Sequence, residues 1–218
     1  MADAVSRLAE IRTRIARAGT LARRDPEDIT LIAVTKGRDM AEIEPLIAAG
    51  QRDFGESRVQ EALAKWPAVV ARHPDIRLHA IGRLQSNKAE EAVRLFDVIH
   101  SLDRPSLVEA LAAAANNGGR TPSVYVQVNI GDESQKGGCP ISATGELVDA
   151  VRASPLPLQG LMAIPPLGVE SAPFFALLAK LADRHEAGGL SMGMSDDFEP
   201  AVMLGATAVR VGRALFED

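Results

Sequence analysis

The chain has 218 residues, of which 46% are apolar and 24% are charged, values typical of a globular protein of one large domain or two small ones. A net charge of -5 and an aromatic content of 4% argue against a general nucleic-acid binder, which needs basic surface and rings on which bases stack. Cys139 is the single cysteine, which excludes a disulfide framework and paired CxxC zinc sites, and the four histidines lack HxH or HExxH spacing, so we predict no metal site.

The N-terminal segment MADAVSRLAEIRTRIARAG carries charges throughout and has no apolar stretch of the kind found in signal peptides. No later segment approaches the roughly 18 apolar residues of a membrane span. We therefore expect a cytoplasmic protein without membrane association, folded as a single domain over residues 1–218.

The predicted elements begin with a helix over 3–18, which has an apolar stripe formed by Val5, Leu8, Ile15 and Ala18. Strands and helices then alternate. The strands are predicted at 30–35, 52–54, 76–81, 97–101, 124–130, 157–162, 189–192 and 207–211. The helices between them are predicted at 39–49, 57–70, 86–95, 104–117, 142–152, 171–186 and 196–204.

Two of these helices have recognisable start signals. Ser57 and Gln60 have the spacing of a capping box, which predicts a helix start at Ser57. Asp103 followed by Pro105 is typical of an N-cap residue and an early helical proline.

Eight strands separated by helices favour a parallel sheet, and eight is the number that closes a (β/α)8 TIM barrel. We therefore predict a single-domain α/β barrel. About seven residues follow the last strand, too few for a covering helix, so the extra N-terminal helix is expected to fill that gap. A doubly wound open sheet is the alternative, but the loop after the first strand reads TKGRDM and lacks GxGxxG.

Lys36 ends the apolar run of the first strand, and functional groups of such barrels lie at the C-terminal ends of strands. A partly desolvated lysine there has a lowered pKa and can form a Schiff base with an aldehyde. The alternative is a lysine that simply leaves the strand into solvent.

The ends of the last two strands indicate a phosphate site, because barrels often hold phosphate in the loops after these strands. Ser195 is predicted to open a helix, where its hydroxyl and the first backbone N–H groups can hold an anion. Gly212 allows close approach of the backbone, and Arg213 adds charge. The alternatives are an N-cap serine and a turn glycine.

Arg210 lies inside the eighth strand between two valines, so alternation turns it towards the barrel, where a guanidinium needs an acceptor. It would serve either a structural ion pair or a heterocyclic nitrogen. His79 also faces inward and is either a hydrogen-bonded core histidine or a catalyst.

Further candidates lie at the ends of other strands. Asn129 is the polar residue nearest the mouth on the fifth strand, and Met162 ends the sixth. Ser57 and Glu56 follow the second strand and are candidates for the same site. In the alternative interpretation Ser57 caps a helix and Glu56 is an ion-paired carboxylate.

The sequence resembles the pyridoxal phosphate homeostasis proteins, a family of single-domain barrels similar to the N-terminal domain of alanine racemase. The resemblance extends from about Ile32 to Phe216. It depends on ordered blocks, which are LIAVTK, DFGES, HAIGRLQSNK, VQVNIGDESQKGG, GLMAIPP, and SMGMSDDFEPAV with GATAVRVGRALF.

The resemblance implies pyridoxal 5′-phosphate as the cofactor. It implies that Lys36 carries the Schiff base, that Arg210 faces the pyridine nitrogen and that Ser195 and Gly212 hold the phosphate. It also implies that His79 and the FGES segment line the ring pocket. The chain departs from the family at Ser57, where asparagine is common, and at Arg213, where threonine is frequent. The predicted cofactor-binding set is completed by these two residues together with Asn129 and Met162.

We expect a pyridoxal phosphate carrier in vitamin B6 and amino-acid homeostasis, acting without efficient turnover, as a monomer, with pyridoxal phosphate-dependent apoenzymes as partners. An amino-acid racemase is the first alternative, but the only tyrosine, Tyr125, lies early in its strand, so an evident second base is missing unless His79 or a partner subunit supplies it. An arginine at the pyridine nitrogen also makes the ring a poorer electron sink. The second alternative is a Schiff-base aldolase for phosphorylated sugars, and the third is an inert scaffold.

Overall fold

The computed structural model describes residues 3–217, and its strands form a closed barrel in which neighbours follow one another in chain order. The strands are β1 (Thr30–Val34), β2 (Asp53–Glu56), β3 (Arg77–Ala80), β4 (Val98–Leu102), β5 (Ser123–Gln127), β6 (Leu158–Met162), β7 (Gly189–Ser191) and β8 (Ala208–Val211). All pairs are parallel, including β8 with β1, which closes the sheet. The predicted eight-stranded barrel is confirmed, and the open sheet is excluded.

The helices surround this sheet. They are α1 (Ala4–Leu21), α2 (Met40–Ala48), α3 (Val59–Lys65), α4 (Pro67–Arg72), α5 (Ala89–Leu95), α6 (Pro105–Gly118), α7 (Thr144–Arg152), α8 (Ala172–Arg184), α9 (Phe198–Met203) and α10 (Arg213–Phe216). Within residues 3–217, no helix is long and apolar enough to cross a bilayer.

Helix α1 covers the barrel between its last and first strands, as predicted, and packs against α2, α9 and α10. Its buried face is Leu8, Ile11 and Ile15, whereas Val5, which the predicted stripe includes, is 36% exposed. Arg14 forms an ion pair of 2.7 Å with Glu199 of α9. The helix thus takes the place of a full-length helix after β8, where α10 has four residues.

The predicted helix over 57–70 is two helices, α3 and α4, because Pro67 has no N–H with which to continue the hydrogen-bond ladder. The predicted capping box is wrong, since Arg58 is the N-cap residue of α3 and Ser57 lies before it. The prediction that Asp103 is the N-cap residue of α6 is likewise wrong, because Arg104 occupies that position.

The core has two apolar parts. The large part fills the layer between sheet and helices and includes Val124 and Val126 of β5. A small part inside the barrel consists of Val98, Tyr125 and Met162. Buried polar side chains of β3, β4, β7 and β8 occupy much of the remaining interior.

Candidate functional site

A cavity of about 500 Å³ opens at the C-terminal ends of the strands. Cavities of this size hold small molecules and cofactors. The lining comes from segments that follow β1, β2, β3, β6, β7 and β8, and consists of Val34, Lys36, Arg38, Ser57, Ile81, Ile164, Leu167, Met194, Ser195, Asp196, Arg210, Gly212, Arg213, Phe216 and Glu217. Six residues of the predicted cofactor set therefore share this cavity, namely Lys36, Ser57, Ser195, Arg210, Gly212 and Arg213.

Lys36 lies two residues after β1, and its side chain is exposed, so the predicted partial desolvation of its amine is not observed. Its neighbours in the chain are held firmly. The Thr35 hydroxyl donates a hydrogen bond of 2.8 Å to Glu56 Oε1, and the Gly37 N–H donates one of 2.5 Å to Glu61 Oε1. A fixed backbone thus presents a primary amine to the cavity.

Ser195 lies three residues before α9 and is not its N-cap residue, which is Asp197. The helix predicted to begin at 196 therefore starts later, and the N-cap interpretation of Ser195 is wrong. The Ser195 Oγ instead accepts a hydrogen bond of 3.2 Å from the Ala214 N–H. This contact joins the loop after β7 to helix α10, which follows β8, at the place where the phosphate site is predicted.

Two glycines make this region compact. Gly193 has a φ of +93°, and a Cβ there would lie 2.5 Å from Ala201 Cβ. A Cβ on Gly212 would lie 3.2 Å from Val34 Cβ and 3.3 Å from the Val34 carbonyl oxygen. Each added methyl group would push the surrounding backbone apart, so these positions favour glycine.

Arg213 lies at the cavity rim in an exposed ion pair with Asp196. The guanidinium is half of a neutral pair, and Asp196 keeps the pKa of Arg213 above its ordinary value. Its charge is therefore partly compensated before any anion binds.

Arg210 is only 4% exposed, and its described partners are neutral. Its Nη1 donates a hydrogen bond of 2.5 Å to Ser191 Oγ, and its Nη2 donates one of 3.0 Å to the Ala163 carbonyl oxygen. Burial lowers the pKa of Arg210 to about 10, while Asp197 and Tyr125 raise it, so the group is charged at neutral pH. Within residues 3–217 it forms no ion pair, so the structural ion-pair interpretation is wrong.

Three predicted residues do not line the cavity. The His79 ring is buried and uses both nitrogens, which lie 2.9 Å from His100 Nε2 and 2.9 Å from Asp53 Oδ1. Asn129 follows β5 and folds back on its own loop, exchanging hydrogen bonds of 3.0 and 3.2 Å with the Glu133 backbone. Met162 is fully buried in the apolar cluster inside the barrel.

Within the FGES segment only Ser57 lines the cavity. The Phe54 ring packs on Trp66 with a centroid separation of 4.9 Å. Glu56 accepts a hydrogen bond of 2.9 Å from Trp66 Nε1. Both side chains therefore face α3 and α4 rather than the barrel interior.

Sequence reasoning missed His100 and Ser191, which connect His79 to Arg210. Ser191 Oγ lies 2.8 Å from His100 Nδ1. The alternation that turns His79 inward also predicts an inward His100. His100 lies two residues after Val98, on the same face of β4, and Val98 lies inside the barrel. Ser191 has no comparable signal, since β7 has three residues.

Comparison with known proteins agrees with this geometry. The family model for the N-terminal domain of alanine racemase matches residues 7–218. The pyridoxal phosphate homeostasis protein of Pseudomonas aeruginosa is 40% identical over 222 residues, which cover 99% of this chain and 96% of the relative.

Two solved structures are also similar. An unknown protein from Bifidobacterium adolescentis superimposes with a TM-score of 0.92 at 32% identity, over 98% of this chain and 94% of that one. PipY of Synechococcus elongatus, solved with pyridoxal phosphate bound, has a TM-score of 0.79 at 39% identity, over 93% of this chain and 99% of that one. By its barrel and by sequence identity over almost its whole length, this chain belongs to the pyridoxal phosphate homeostasis protein family.

Proposed function

We propose that this protein binds pyridoxal 5′-phosphate in the cavity at the barrel mouth and holds it there without efficient turnover, as a carrier in vitamin B6 and amino-acid homeostasis. The observation that carries the proposal is the joint presence of Lys36, Arg210, Ser195 and Gly212 around one cavity of about 500 Å³. When bound, the cofactor supplies an aldehyde that condenses with a primary amine and a ring that accepts electrons.

Lys36 is the proposed site of covalent attachment. Among the residues that line the cavity it provides the primary amine, which a Schiff base with the aldehyde requires. The hydrogen bonds that Thr35 and Gly37 donate to Glu56 and Glu61 hold its backbone in place, so only the side chain has to adjust to the ligand.

Arg210 is the proposed partner of the pyridine nitrogen. A guanidinium has five N–H donors and no acceptor, and its described hydrogen bonds go to Ser191 and Ala163. The remaining donors can serve a heterocyclic nitrogen at the cavity. Such a nitrogen must supply the lone pair, so the ring stays unprotonated, and this supports a holding role over amino-acid chemistry.

Ser195 and Gly212 are the proposed phosphate site, and the segments that contain them are already joined by the hydrogen bond from the Ala214 N–H to Ser195 Oγ. Glycine at 212 lets the turn after β8 pack against Val34, and a backbone without a side chain can be approached closely by an anion. Arg38 is paired with Glu42 and Glu217 and adds a further guanidinium to the lining.

The positions of the alternative bases do not favour racemisation. Tyr125 is stacked on His100 inside the barrel, with ring centroids 4.5 Å apart, and burial raises the pKa of its hydroxyl. His79 lies in the same interior, and both its nitrogens have partners. Neither Tyr125 nor His79 is therefore placed to act as the second base that racemisation needs.

Reduction with borohydride tests the proposal. The protein mixed with pyridoxal phosphate should turn yellow, and after reduction and proteolysis the pyridoxyl group should be found on Lys36. A label mainly on Lys88 or Lys136 would refute the assignment. Lys36→Ala is the matched control; it should lose the label while it still binds the cofactor through the phosphate.

The same assay separates the carrier from an aldolase and from a scaffold. Trapping of a sugar phosphate in place of pyridoxal phosphate would indicate an aldolase, and a colourless protein without affinity would indicate a scaffold. The proposal also includes action in the cytoplasm as a monomer, with apoenzymes that require pyridoxal phosphate as recipients; transfer from loaded protein to such an apoenzyme, followed by its recovered activity, tests that part.

A further inference from the structure

A line of four hydrogen bonds crosses the barrel interior from Arg210 to Asp53. Arg210 Nη1 lies 2.5 Å from Ser191 Oγ, and Ser191 Oγ lies 2.8 Å from His100 Nδ1. His100 Nε2 lies 2.9 Å from His79 Nδ1, and His79 Nε2 lies 2.9 Å from Asp53 Oδ1. The line therefore joins the cofactor cavity to the opposite face of the barrel, where Asp53 lines a second cavity of about 580 Å³.

The carboxylate end determines the direction of the bonds in this line when both rings are neutral. Arg210 can only donate and an ionised Asp53 can only accept, whereas the Ser191 hydroxyl has one proton and two lone pairs. His79 therefore donates from Nε2 to Asp53 and accepts at Nδ1 from His100 Nε2. His100 Nδ1 is then the acceptor for the Ser191 hydroxyl proton, while Ser191 Oγ accepts from Arg210 Nη1.

This arrangement requires both rings to be neutral with the proton on Nε2. A proton on Nδ1 of His100 would make Ser191 Oγ accept from both of its neighbours in the line, and a proton on Nδ1 of His79 would oppose the proton of His100 Nε2. Burial, together with the nearby His79, Arg210 and Arg77, lowers the pKa of His100 well below its ordinary value, which agrees with a neutral ring.

The line also addresses an electrostatic problem at Arg210. A buried cation without a carboxylate contact is costly, and its two described acceptors are a hydroxyl and a carbonyl oxygen. Aligned hydrogen bonds polarise one another in a low-dielectric interior, so the negative charge of Asp53 increases the electron density that Ser191 Oγ presents to the guanidinium.

We propose that Asp53, acting through His79, His100 and Ser191, is a positioning residue and remote counter-charge for Arg210. It fixes the direction of the hydrogen bonds so that Ser191 Oγ presents a lone pair to Arg210 Nη1, and thereby holds the guanidinium in the orientation in which it lines the cofactor cavity. The directional part concerns the protein alone; the effect on a bound ring rests on the proposed function.

Histidine tautomers in the protein without ligand test the directional part. In ¹⁵N NMR spectra, His79 and His100 should both carry the proton on Nε2 alone, with His73→Gln and His185→Gln variants assigning the other two rings. In Asp53→Asn the new carboxamide can donate as well as accept, so we expect one or both rings to shift to the Nδ1 tautomer or to a mixture.

Asp75→Asn is the matched control. Asp75 precedes β3, pairs with Arg52 and takes no part in the line, so its removal should leave both tautomers unchanged. Ser191→Ala breaks the line at its other end, and both rings should stay on Nε2 because Asp53 still orients them. Unchanged tautomers in a folded Asp53→Asn, or a wild-type ring protonated on Nδ1, would overturn the proposal; if Asp53→Asn does not fold, a shift of either ring away from Nε2 in Ser191→Ala overturns it.

Binding of pyridoxal phosphate tests the positioning part. Networks of this kind change coupling energies by amounts that correspond to roughly twofold to thirtyfold in affinity, and we expect Asp53→Asn to weaken binding within that range relative to Asp75→Asn. Equal binding by the two variants would overturn the positioning role. A wild type that binds no pyridoxal phosphate would instead refute the proposed function and leave the tautomer result standing.

Discussion

The Lys65 ammonium group donates a hydrogen bond of 2.9 Å to the carbonyl oxygen of Thr35, the residue that precedes Lys36. It also donates to Glu56 Oε1 at 2.9 Å and to Glu61 Oε1 at 3.2 Å. These two carboxylates in turn accept hydrogen bonds from the residues on either side of Lys36. Helix α3 thus clamps the backbone that presents the Lys36 amine.

Lys65→Met should therefore reduce covalent attachment of pyridoxal phosphate to Lys36 while binding through the phosphate persists. It should also lower the free energy of unfolding by about 3–5 kcal/mol, because it leaves the fully buried Glu56 carboxylate without its cation. Borohydride trapping measures the first effect, and urea denaturation measures the second.

Lys88→Met is the matched control for Lys65. Lys88 pairs with Glu91 at the surface, where side-chain exposures of 28% and 34% leave the pair solvated, so its loss should cost less than about 1 kcal/mol. Equal trapping rates at Lys36 in the two methionine variants would mean that the clamp does not affect the amine.

The proposed phosphate site at Ser195 and Gly212 predicts that the protein prefers pyridoxal phosphate to pyridoxal. A charge-assisted hydrogen bond contributes roughly 1.5–3 kcal/mol, so Ser195→Ala should weaken binding of pyridoxal phosphate by about tenfold or more. Pyridoxal, which lacks the phosphate, should bind the variant and the parent equally and far more weakly. Fluorescence titration with both compounds measures the difference.

Two further variants refine that test. Gly212→Ala brings a methyl group to 3.2 Å from Val34 Cβ, so it should weaken binding of the phosphorylated form as well. Ser134→Ala changes an exposed loop serine and should have no effect. Equal affinities of the parent for pyridoxal and its phosphate would refute a phosphate site in these loops.

His100 predicts a specific dependence of stability on pH. Its pKa in the folded protein lies well below 6.5, the ordinary value that it regains on unfolding. Above pH 6.5 both states are neutral; below it only the unfolded state takes up the proton, so the free energy of unfolding falls by up to about 1.4 kcal/mol per pH unit until the folded pKa is reached. Urea denaturation between pH 7 and pH 5 measures this decrease.

Replacing the ring separates this contribution from others. His100→Asn should be less stable at pH 7, because a buried hydrogen-bonded ring is lost, yet its stability should change less between pH 7 and pH 5. His73→Gln replaces a ring that takes no part in the line of hydrogen bonds from Arg210 to Asp53, so it should keep the pH dependence of the parent. An unchanged dependence in His100→Asn would mean that the ring is accessible to protons in the folded state.

The sequence is informative about the barrel because each strand has a short apolar run and each connection a helical period, and these are local signals. Four residues can be assigned to one cavity for a related reason: Lys36, Ser195, Arg210 and Gly212 lie at or near the C-terminal ends of strands. In a parallel barrel these ends meet on one face whatever the side chains are.

Contacts between distant parts of the chain are harder to predict. The strand pattern predicts Asn129 at the mouth, but β5 ends at Gln127 and the amide closes the next turn, a competition between side chain and backbone that no strand pattern reveals. The hydrogen bond between His100 and Ser191 joins residues 91 positions apart and depends on the registers of four strands. Such contacts follow from closure of the sheet rather than from any segment.

Arg210 provides the prediction that separates a carrier from an enzyme. If its guanidinium faces the pyridine nitrogen, that nitrogen stays unprotonated, because the group can only donate. A bound amino acid should then lose its α-proton slowly, since the ring withdraws little charge. Arg210→Glu places an acceptor at the nitrogen and should accelerate exchange of the α-proton in deuterated buffer, as measured by NMR or mass spectrometry.

Arg210→Lys is the control that makes this result specific. A lysine keeps the positive charge and, like arginine, can only donate when charged, so exchange should stay as slow as in the parent. In Arg210→Glu the carboxylate would lie near Ser191 Oγ and the Ala163 carbonyl oxygen, which accept hydrogen bonds from the arginine in the parent. The folding and cofactor loading of this variant must therefore be measured alongside. Rapid exchange by the parent with any common amino acid would identify an enzyme instead of a carrier, and slow exchange in a folded, loaded Arg210→Glu would mean that this arginine does not control the ring.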